Sequence, residues 1–201
     1  MSQEIRPIGP DAVHVCIDMQ RLFAEQTGWH TASIPDILPN VIRLTEHAPQ
    51  RTVFTRFRTP PKPADAQGHW RRYYERWSEL TTDVIGEAML DVMAELACFV
   101  PPARIAEKTG YSAFESAEFR AMLDDLGCET VICSGVETDV CVLGTVMQAM
   151  DLGYRVVVAA DAVHGSVPDA HRAALDHVYR RFDEQIEIGG TTEVIANWTT
   201  P

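Results

Sequence analysis

The sequence has few basic residues, and this shortage limits its possible partners. It contains 17 lysines and arginines against 29 aspartates and glutamates, for a net charge of −12 over 201 residues. Nucleic acids and anionic membranes attract basic surfaces, so we predict neither as a partner. No apolar run approaches transmembrane length, and MSQEIRPIGPDA lacks the basic start and apolar stretch of a secretory signal. We therefore expect a cytoplasmic protein that acts on a small molecule.

Paired cysteine motifs are also missing. An odd, scattered set of cysteines without a C-x-x-C pair fits reduced thiols better than a disulfide framework or a zinc site. The five cysteines are Cys16, Cys98, Cys128, Cys133 and Cys141. The sequence also has no G-x-S-x-G, G-x-G-x-x-G, P-loop or H-E-x-x-H motif. Any important cysteine is therefore expected to act alone.

Six short segments rich in β-branched residues alternate with longer amphipathic segments. Most of the short segments are apolar throughout, which is typical of strands covered on both faces. We predict a single domain, residues 1–201, with a three-layer α/β/α sandwich around a Rossmann-like parallel sheet of about six strands. The predicted strands are 12–18, 51–57, 103–108, 129–135, 154–161 and 184–189, and the predicted helices are 35–47, 116–126, 138–152, 168–182 and 192–198.

Three chemically active side chains follow predicted strands. Asp18 ends the first strand in VCIDMQ, Lys108 ends the third in IAEK, and Cys141 follows the fourth in ICSGVETDVCV. Ligands bind beyond the carboxyl ends of the strands in an open α/β sheet, so we expect these side chains to lie close together. Taken singly, each has an ordinary interpretation: a turn aspartate, a solvated lysine and a small core cysteine. The hypothesis depends on all three coinciding.

Cys141 is predicted to lie in the first turn of a helix that Thr138 or Asp139 caps. The free N–H groups and the dipole of a helix start lower the pKa of a thiol, so we expect a reactive nucleophile. Asp18 is then the candidate base, and Lys108 is the cation that keeps carboxylate and thiolate charged. The backbone N–H groups of the turn that leads into the helix are candidate donors to an oxyanion.

Longer segments resemble a known family. GVETDVCVLGTVMQAMDLGYRVVVAADAV, at residues 135–163, resembles the nucleophile motif of the isochorismatase-like cysteine hydrolases. These include nicotinamidases, N-carbamoylsarcosine amidase and ureidoacrylate or biuret hydrolases. IDMQRLF at residues 17–23 and EKTGYSAF at residues 107–114 resemble the family's first motif and its lysine motif. The motifs occur in the family's order across nearly the whole chain, and the resemblance implies the isochorismatase-like hydrolase fold.

Carried over residue by residue, the resemblance implies a catalytic triad of Asp18, Lys108 and Cys141. It also implies an oxyanion hole formed by the backbone N–H groups of Glu137 and Cys141, with a cis peptide bond between Val136 and Glu137. Family members that cleave the vinyl ether of isochorismate do not use a cysteine. Cys141 therefore favours cleavage of a non-peptide C–N bond in a small amide or ureido compound, through a thioester. The resemblance further implies a homo-oligomer, a dimer or a tetramer.

The sequence departs from the nicotinamidase pattern where those enzymes hold a metal. Their Asp-x-His pair after the second strand is replaced by TRFRTP, and His69 is the one histidine nearby. A lone histidine is more often a hydrogen-bonded structural residue than a ligand, because metal sites need several convergent ligands. We therefore predict no metal and no cofactor. Arg21 and Leu22 replace the family's usual Asn-Asp pair, so the family pattern does not define that side of the pocket.

The irregular segment at residues 58–78 is rich in arginine and aromatic residues and has two interpretations. It forms an aromatic pocket wall with a carboxylate-binding guanidinium, or it packs in a subunit interface, where Arg, Tyr and Trp are also enriched. The candidate pocket residues are Phe23, Arg56, Arg58, Trp70, Tyr74, Tyr111 and Phe114, and Arg71, Arg72, Tyr73 and Trp77 belong to the same cluster. Asp161 is predicted to be a turn residue, and His164 has no assigned role.

Three alternatives to the C–N hydrolase stay open at this point. They are an isochorismatase-type vinyl-ether hydrolase, a non-catalytic protein that binds a small metabolite, and a redox-sensing cysteine. A pure binding pocket has no need of a thiol at a helix start. A redox sensor predicts a sulfenic acid or a disulfide at Cys141 under mild peroxide, whereas the hydrolase predicts release of ammonia or an amine.

Overall fold

Six parallel strands form one sheet within residues 4–200, the part of the chain that the computed structural model describes. The strands are β1 (Val13–Ile17), β2 (Thr52–Phe57), β3 (Arg104–Lys108), β4 (Thr130–Val136), β5 (Arg155–His164) and β6 (Ile186–Gly189). Their order across the sheet is β3-β2-β1-β4-β5-β6, and every neighbouring pair is parallel. Each predicted strand is therefore found. Strands β2 and β3 are added on one side of β1, and β4, β5 and β6 on the other, so the strand order reverses between β1 and β4.

Helices connect the strands and cover both faces of the sheet. They are α1 (Arg21–Ala24), α2 (Ile34–His47), α3 (Trp70–Arg76), α4 (Thr82–Ile85), α5 (Ala94–Ala97), α6 (Ala117–Asp125), α7 (Cys141–Asp151), α8 (Pro168–Ala173) and α9 (Thr191–Asn197). The helix predicted over 168–182 is only partly α-helical, because a π-helical segment at 174–178 and a 3₁₀ segment at 179–182 follow α8. Among the described residues, no helix has both the length and the apolar character needed to cross a bilayer.

Two apolar cores lie on opposite faces of the sheet. In β1, Val13 and Val15 enter one core while Cys16 enters the other, as the alternation of side chains along a strand requires. Helices α2 and α9 pack on the Cys16 face, with Val41 among their buried residues. Helices α6 and α7 pack on the opposite face, where Phe119 is fully buried. The predicted three-layer sandwich is confirmed.

A glycine allows the two central strands to meet closely beside the site. Gly135 pairs with Ile17 across β4 and β1 and has a φ of +103°, which residues with a side chain rarely adopt. A β-carbon at this position would lie 2.0 Å from the Ile17 carbonyl oxygen. Because Ile17 immediately precedes Asp18, a side chain at Gly135 would displace the end of β1 from β4.

One buried carboxylate joins the sheet edge to the N-terminal segment. Glu187 in β6 is 1% exposed and accepts hydrogen bonds from Arg155 in β5, at 2.7 and 2.8 Å, and from the Arg6 guanidinium, at 2.6 and 3.0 Å. Burial alone would raise the pKa of Glu187, but the hydrogen bonds from Arg155 and Arg6 outweigh it and lower the pKa to about 2.

Glu187→Gln is expected to lower the free energy of unfolding by about 2 kcal/mol at neutral pH, because two arginines lose their buried negative partner and one of its two acceptor oxygens. A depressed carboxylate pKa stabilises the folded state above the unfolded-state value and ceases to do so as the pH falls. This contribution should therefore be lost between pH 4.5 and about 2 in the wild type and be absent from the variant. Urea unfolding across this range measures both effects, and equal stability of the two proteins at neutral pH would contradict the assignment.

Candidate active site

A buried ion pair lies at the carboxyl ends of β1 and β3. Asp18 Oδ2 is 2.7 Å from Lys108 Nζ, and the two side chains are 0% and 1% exposed. Thr55, in the intervening strand β2, donates its hydroxyl to Asp18 Oδ1 at 2.6 Å and accepts the Asp18 N–H at 3.1 Å. Asp18 itself has a φ of +53°, a conformation that costs a non-glycine residue roughly 1 kcal/mol or more. The contacts with Thr55 and Lys108 hold the carboxylate in this orientation.

Lys108 is held from several sides. Its ammonium donates to the carbonyl oxygens of Gly110 at 3.0 Å and Tyr111 at 3.1 Å, and lies 4.7 Å from the centre of the Phe57 ring. Burial alone would lower the pKa of Lys108, but the negative charge of Asp18, together with the interactions with Asp18 and Cys141, outweighs burial and raises it. Lys108 therefore remains a cation in the interior.

Cys141 is the third member of the cluster and follows β4, the strand next to β1 in the sheet. It is the first residue of α7, and its thiol lies close enough to Asp18 and Lys108 for both to affect its pKa. Burial raises the pKa of this thiol, as does the charge of Asp18, while Lys108 opposes the increase. The prediction of a lowered thiol pKa is therefore wrong, because desolvation outweighs the helix dipole at a side chain only 7% exposed.

The predicted helix cap is also wrong. α7 begins at Cys141, after Val140, and no side chain caps it. The Thr138 hydroxyl is instead 2.8 Å from His171 Nδ1, and Asp139 Oδ1 is buried without a hydrogen-bond partner among residues 4–200. The Cys141 N–H, at the start of the helix, therefore has no side-chain acceptor from the predicted caps, whereas the Val142 N–H donates to the Glu137 carbonyl at 3.1 Å.

The turn between β4 and α7 presents two backbone donors. The peptide bond between Val136 and Glu137 is cis. Within residues 4–200, the Glu137 N–H and the Cys141 N–H form no backbone hydrogen bond, whereas the neighbouring Thr138 N–H donates to the His164 carbonyl at 3.0 Å. Both N–H groups are thus available to an acceptor on a bound molecule.

A cavity of about 250 Å³ opens onto Cys141. Its lining residues are Phe23, Gly28, Trp29, His30, Phe57, Tyr73, Trp77, Tyr111, Glu137, Val140, Cys141 and Ser166. Two of the predicted pocket residues, Phe23 and Tyr111, are in this set. Tyr73 and Trp77 bring the segment 58–78 to the cavity wall, which favours its interpretation as part of a pocket. Trp29 and the side chain of Glu137 were missed, because both lie in loops without a strand or helix pattern to place them.

The other predicted pocket residues lie elsewhere. Phe114 is fully buried in the core, 5.1 Å from the ring of Phe119, because the turn after β3 directs it under α6. Arg56 and Arg58 both form ion pairs with Glu107 and so are not free to bind a carboxylate at Cys141. Further ion pairs join Arg56 to Asp91 at 3.0 Å and Arg58 to Glu87 at 2.8 Å. Arg58, Trp70 and Tyr74 line a separate cavity of about 720 Å³, which Lys108 also borders.

The remaining candidates have structural partners or lie at the surface. Asp161 Oδ1 accepts hydrogen bonds from the N–H and the hydroxyl of Thr191, both at 2.7 Å, and so stabilises the start of α9. His164 stacks on His171 with 4.2 Å between ring centres. His69 is exposed, next to the start of α3. Among residues 4–200, no three His, Cys, Asp or Glu side chains are placed to hold a metal ion.

Comparison with protein families agrees with this arrangement. The family model described as the isochorismatase domain matches residues 12–188, which include the first five strands, most of β6 and the three clustered side chains. The chain belongs to the isochorismatase family. Membership confirms the predicted superfamily and the predicted class of enzyme, a hydrolase.

Individual relatives and solved structures match over different lengths. A protein named "probable inactive nicotinamidase" from Arabidopsis thaliana is 29% identical over 163 residues, 78% of this chain and 82% of that protein. A ureidoacrylate amidohydrolase of Pseudomonas savastanoi pv. phaseolicola is 36% identical over 75 residues, 37% of this chain and 31% of that enzyme. The crystal structure of a cysteine hydrolase from Pseudomonas syringae pv. phaseolicola superposes with a TM-score of 0.83 at 24% identity, over 98% of both chains.

The raised pKa of Cys141 in this isochorismatase family member has a measurable consequence. We expect iodoacetamide to alkylate Cys141 slowly at neutral pH and faster as the pH rises beyond 9, the ordinary value for a thiol. Asp18→Asn removes the nearest negative charge, so it should lower the thiol pKa and speed alkylation at neutral pH. Peptide mass spectrometry measures the rates, with the exposed Cys98 as internal reference. Fast alkylation that does not depend on pH would contradict a resting thiol.

Proposed function

We propose that this protein is a cysteine hydrolase that cleaves a non-peptide C–N bond of a small amide or ureido compound through a thioester on Cys141. One observation carries the proposal: the Cys141 thiol lines a cavity and lies beside a buried carboxylate and a buried ammonium, and two residues of the cavity wall, Glu137 and Cys141, have backbone N–H groups without a backbone acceptor. A nucleophile, a base and oxyanion donors are the parts that acyl transfer requires.

In the first half of the reaction, Asp18 removes the proton from the Cys141 thiol as sulfur attacks the carbonyl carbon. The C–S bond forms, the carbonyl oxygen becomes an oxyanion, and the N–H groups of Glu137 and Cys141 donate to it. Asp18 then gives its proton to the nitrogen as the C–N bond breaks, and ammonia or an amine leaves. Lys108 keeps the total charge of the cluster near zero when the thiolate forms, which is why a buried thiol can ionise transiently.

In the second half, water replaces the amine. Asp18 takes a proton from this water as its oxygen attacks the thioester carbon, and the C–S bond then breaks. The sulfur leaves as a thiolate that recovers a proton from Asp18. The acid is released, and Cys141 and Asp18 return to their starting protonation states. Neither half of the reaction needs a metal, a cofactor or an oxidant.

The relatives bear on the type of bond and on one alternative. An amidohydrolase among them supports cleavage of an amide-type bond. The relative named as a probable inactive nicotinamidase supports the alternative that this chain binds a metabolite without turnover. Against that alternative, this chain has the carboxylate and the ammonium in contact, with the thiol beside them. A binding pocket alone gains nothing from a buried ion pair beside a thiol.

A screen of small amides and ureido acids for ammonia release tests the proposal. We expect turnover by the wild type, none by Cys141→Ala, and a decrease of about a hundredfold or more in kcat for Asp18→Asn, because proton transfer is lost. Cys98→Ala is the matched control, since Cys98 is exposed and does not line the cavity at Cys141. It should retain full activity.

Full activity of Cys141→Ala would disprove the covalent mechanism. If the folded wild type releases ammonia neither from amides nor from ureido acids, the result would favour the non-catalytic binding protein. Release of pyruvate from isochorismate would instead favour the vinyl-ether hydrolase.

A further inference from the structure

The cavity at Cys141 is walled by aromatic rings. Phe23, Trp29, Phe57, Tyr73, Trp77 and Tyr111 all line it. Trp29 is the centre of this group, with ring centres 5.8 Å from Tyr73, 5.9 Å from Phe57, 6.1 Å from Phe23 and 6.2 Å from Trp77. A ligand in a cavity of this size is therefore surrounded by ring faces and edges.

Two of these rings already interact with cations from the protein. Lys108 Nζ is 4.7 Å from the centre of Phe57, and the Arg76 guanidinium is 5.2 Å from the centre of Trp77. The faces of aromatic rings attract cations through the ring quadrupole. Phe23, Trp29, Tyr73 and Tyr111 have no such cation among residues 4–200 and remain available to a ligand.

The cavity wall contains a carboxylate and no guanidinium or ammonium group. Among its lining residues, Glu137 is the one acidic side chain, and none is lysine or arginine. His30 is also in the wall; its Nδ1 donates to the Glu25 carbonyl at 2.9 Å and its Nε2 accepts from the Gln26 amide at 3.1 Å. A second carboxylate, that of Glu79, lies next to Gly28 at the cavity edge.

Glu137 is held in place but is not neutralised. Its Oε1 accepts hydrogen bonds from the Ser166 N–H at 2.7 Å and the Thr31 hydroxyl at 3.3 Å. Within residues 4–200, its Oε2 has no hydrogen bond and the carboxylate has no ion pair. Burial chiefly raises the pKa of Tyr73, another wall residue, to about 12, and Glu137 contributes to the increase.

We propose that the substrate of this site carries a cationic group, an ammonium or a quaternary ammonium, that binds among the aromatic rings and pairs with the Glu137 carboxylate. This inference rests on the proposed amide hydrolysis at Cys141. Glu137 has two separate roles in it, because its backbone N–H faces the oxyanion while its side chain binds the cation. The scissile carbonyl and the cation are consequently only a few bonds apart, as in the amide of a small amino acid or betaine. A substrate carboxylate would be repelled.

Three amide substrates of similar size distinguish the effect of substrate charge from that of substrate shape. Trimethylglycinamide is cationic, tert-butylacetamide is its neutral isostere, and succinamate is anionic. We expect kcat/KM for the cation to exceed that of the neutral isostere by about tenfold or more, with the anion the poorest substrate. Glu137→Gln should reduce the ratio of cation to neutral isostere to near one. Asp151→Asn, which removes one exposed negative charge at the far end of α7, should leave that ratio unchanged.

Binding to Cys141→Ala tests the cation site independently of turnover. Calorimetry should give tighter binding of trimethylglycinamide than of tert-butylacetamide, and this preference should disappear in the double variant with Glu137→Gln. Preferential binding without turnover by the wild type would reject the proposed hydrolysis and keep the cation site. Equal or weaker binding of the cation would overturn the inference, even if all three amides were hydrolysed. The single-variant measurement does not require Glu137→Gln to fold.

Discussion

Removing a carboxylate and an ammonium from water costs several kcal/mol for each ion, and Asp18 and Lys108 offset that cost through each other. The pair joins the carboxyl ends of β1 and β3, across the intervening Thr55. Replacing one partner would leave an uncompensated charge in the interior, at a cost of about 3–5 kcal/mol. The geometry of the strand ends, the left-handed backbone at Asp18 and the position of Cys141 are all organised around this ion pair.

The ion pair also explains how a buried thiol can be both unreactive at rest and useful in catalysis. Burial keeps Cys141 protonated, and Asp18 adds to that effect. When a substrate presents a carbonyl, the proton has a short route to Asp18, and Lys108 then faces a thiolate in place of a carboxylate. Reactivity is therefore coupled to an occupied cavity, which protects the thiol from general oxidation.

The sequence predicted the sheet and the clustered side chains well, because both follow from short-range patterns and a topological rule. Apolar runs identify buried strands, and parallel strands place Asp18, Lys108 and Cys141 at one edge. The thiol pKa could not be predicted, since it depends on how completely neighbouring loops exclude water. Trp29 and the Glu137 side chain were missed for a related reason: their positions are set by tertiary contacts of irregular segments, which have no periodicity.

The central claim is that Asp18 carries the Cys141 proton to the leaving nitrogen during covalent attack, a transfer that acyl formation needs and alkylation by iodoacetamide does not. It is tested most directly by quenching the enzyme during turnover of an amide and locating the acyl group by peptide mass spectrometry, with hydroxylamine release to identify a thioester. The account predicts an acyl group on the peptide that contains Cys141 in the wild type and a large decrease in the rate of its formation in Asp18→Asn. An acyl group on another residue, or one that forms equally fast without the Asp18 carboxylate, would contradict it.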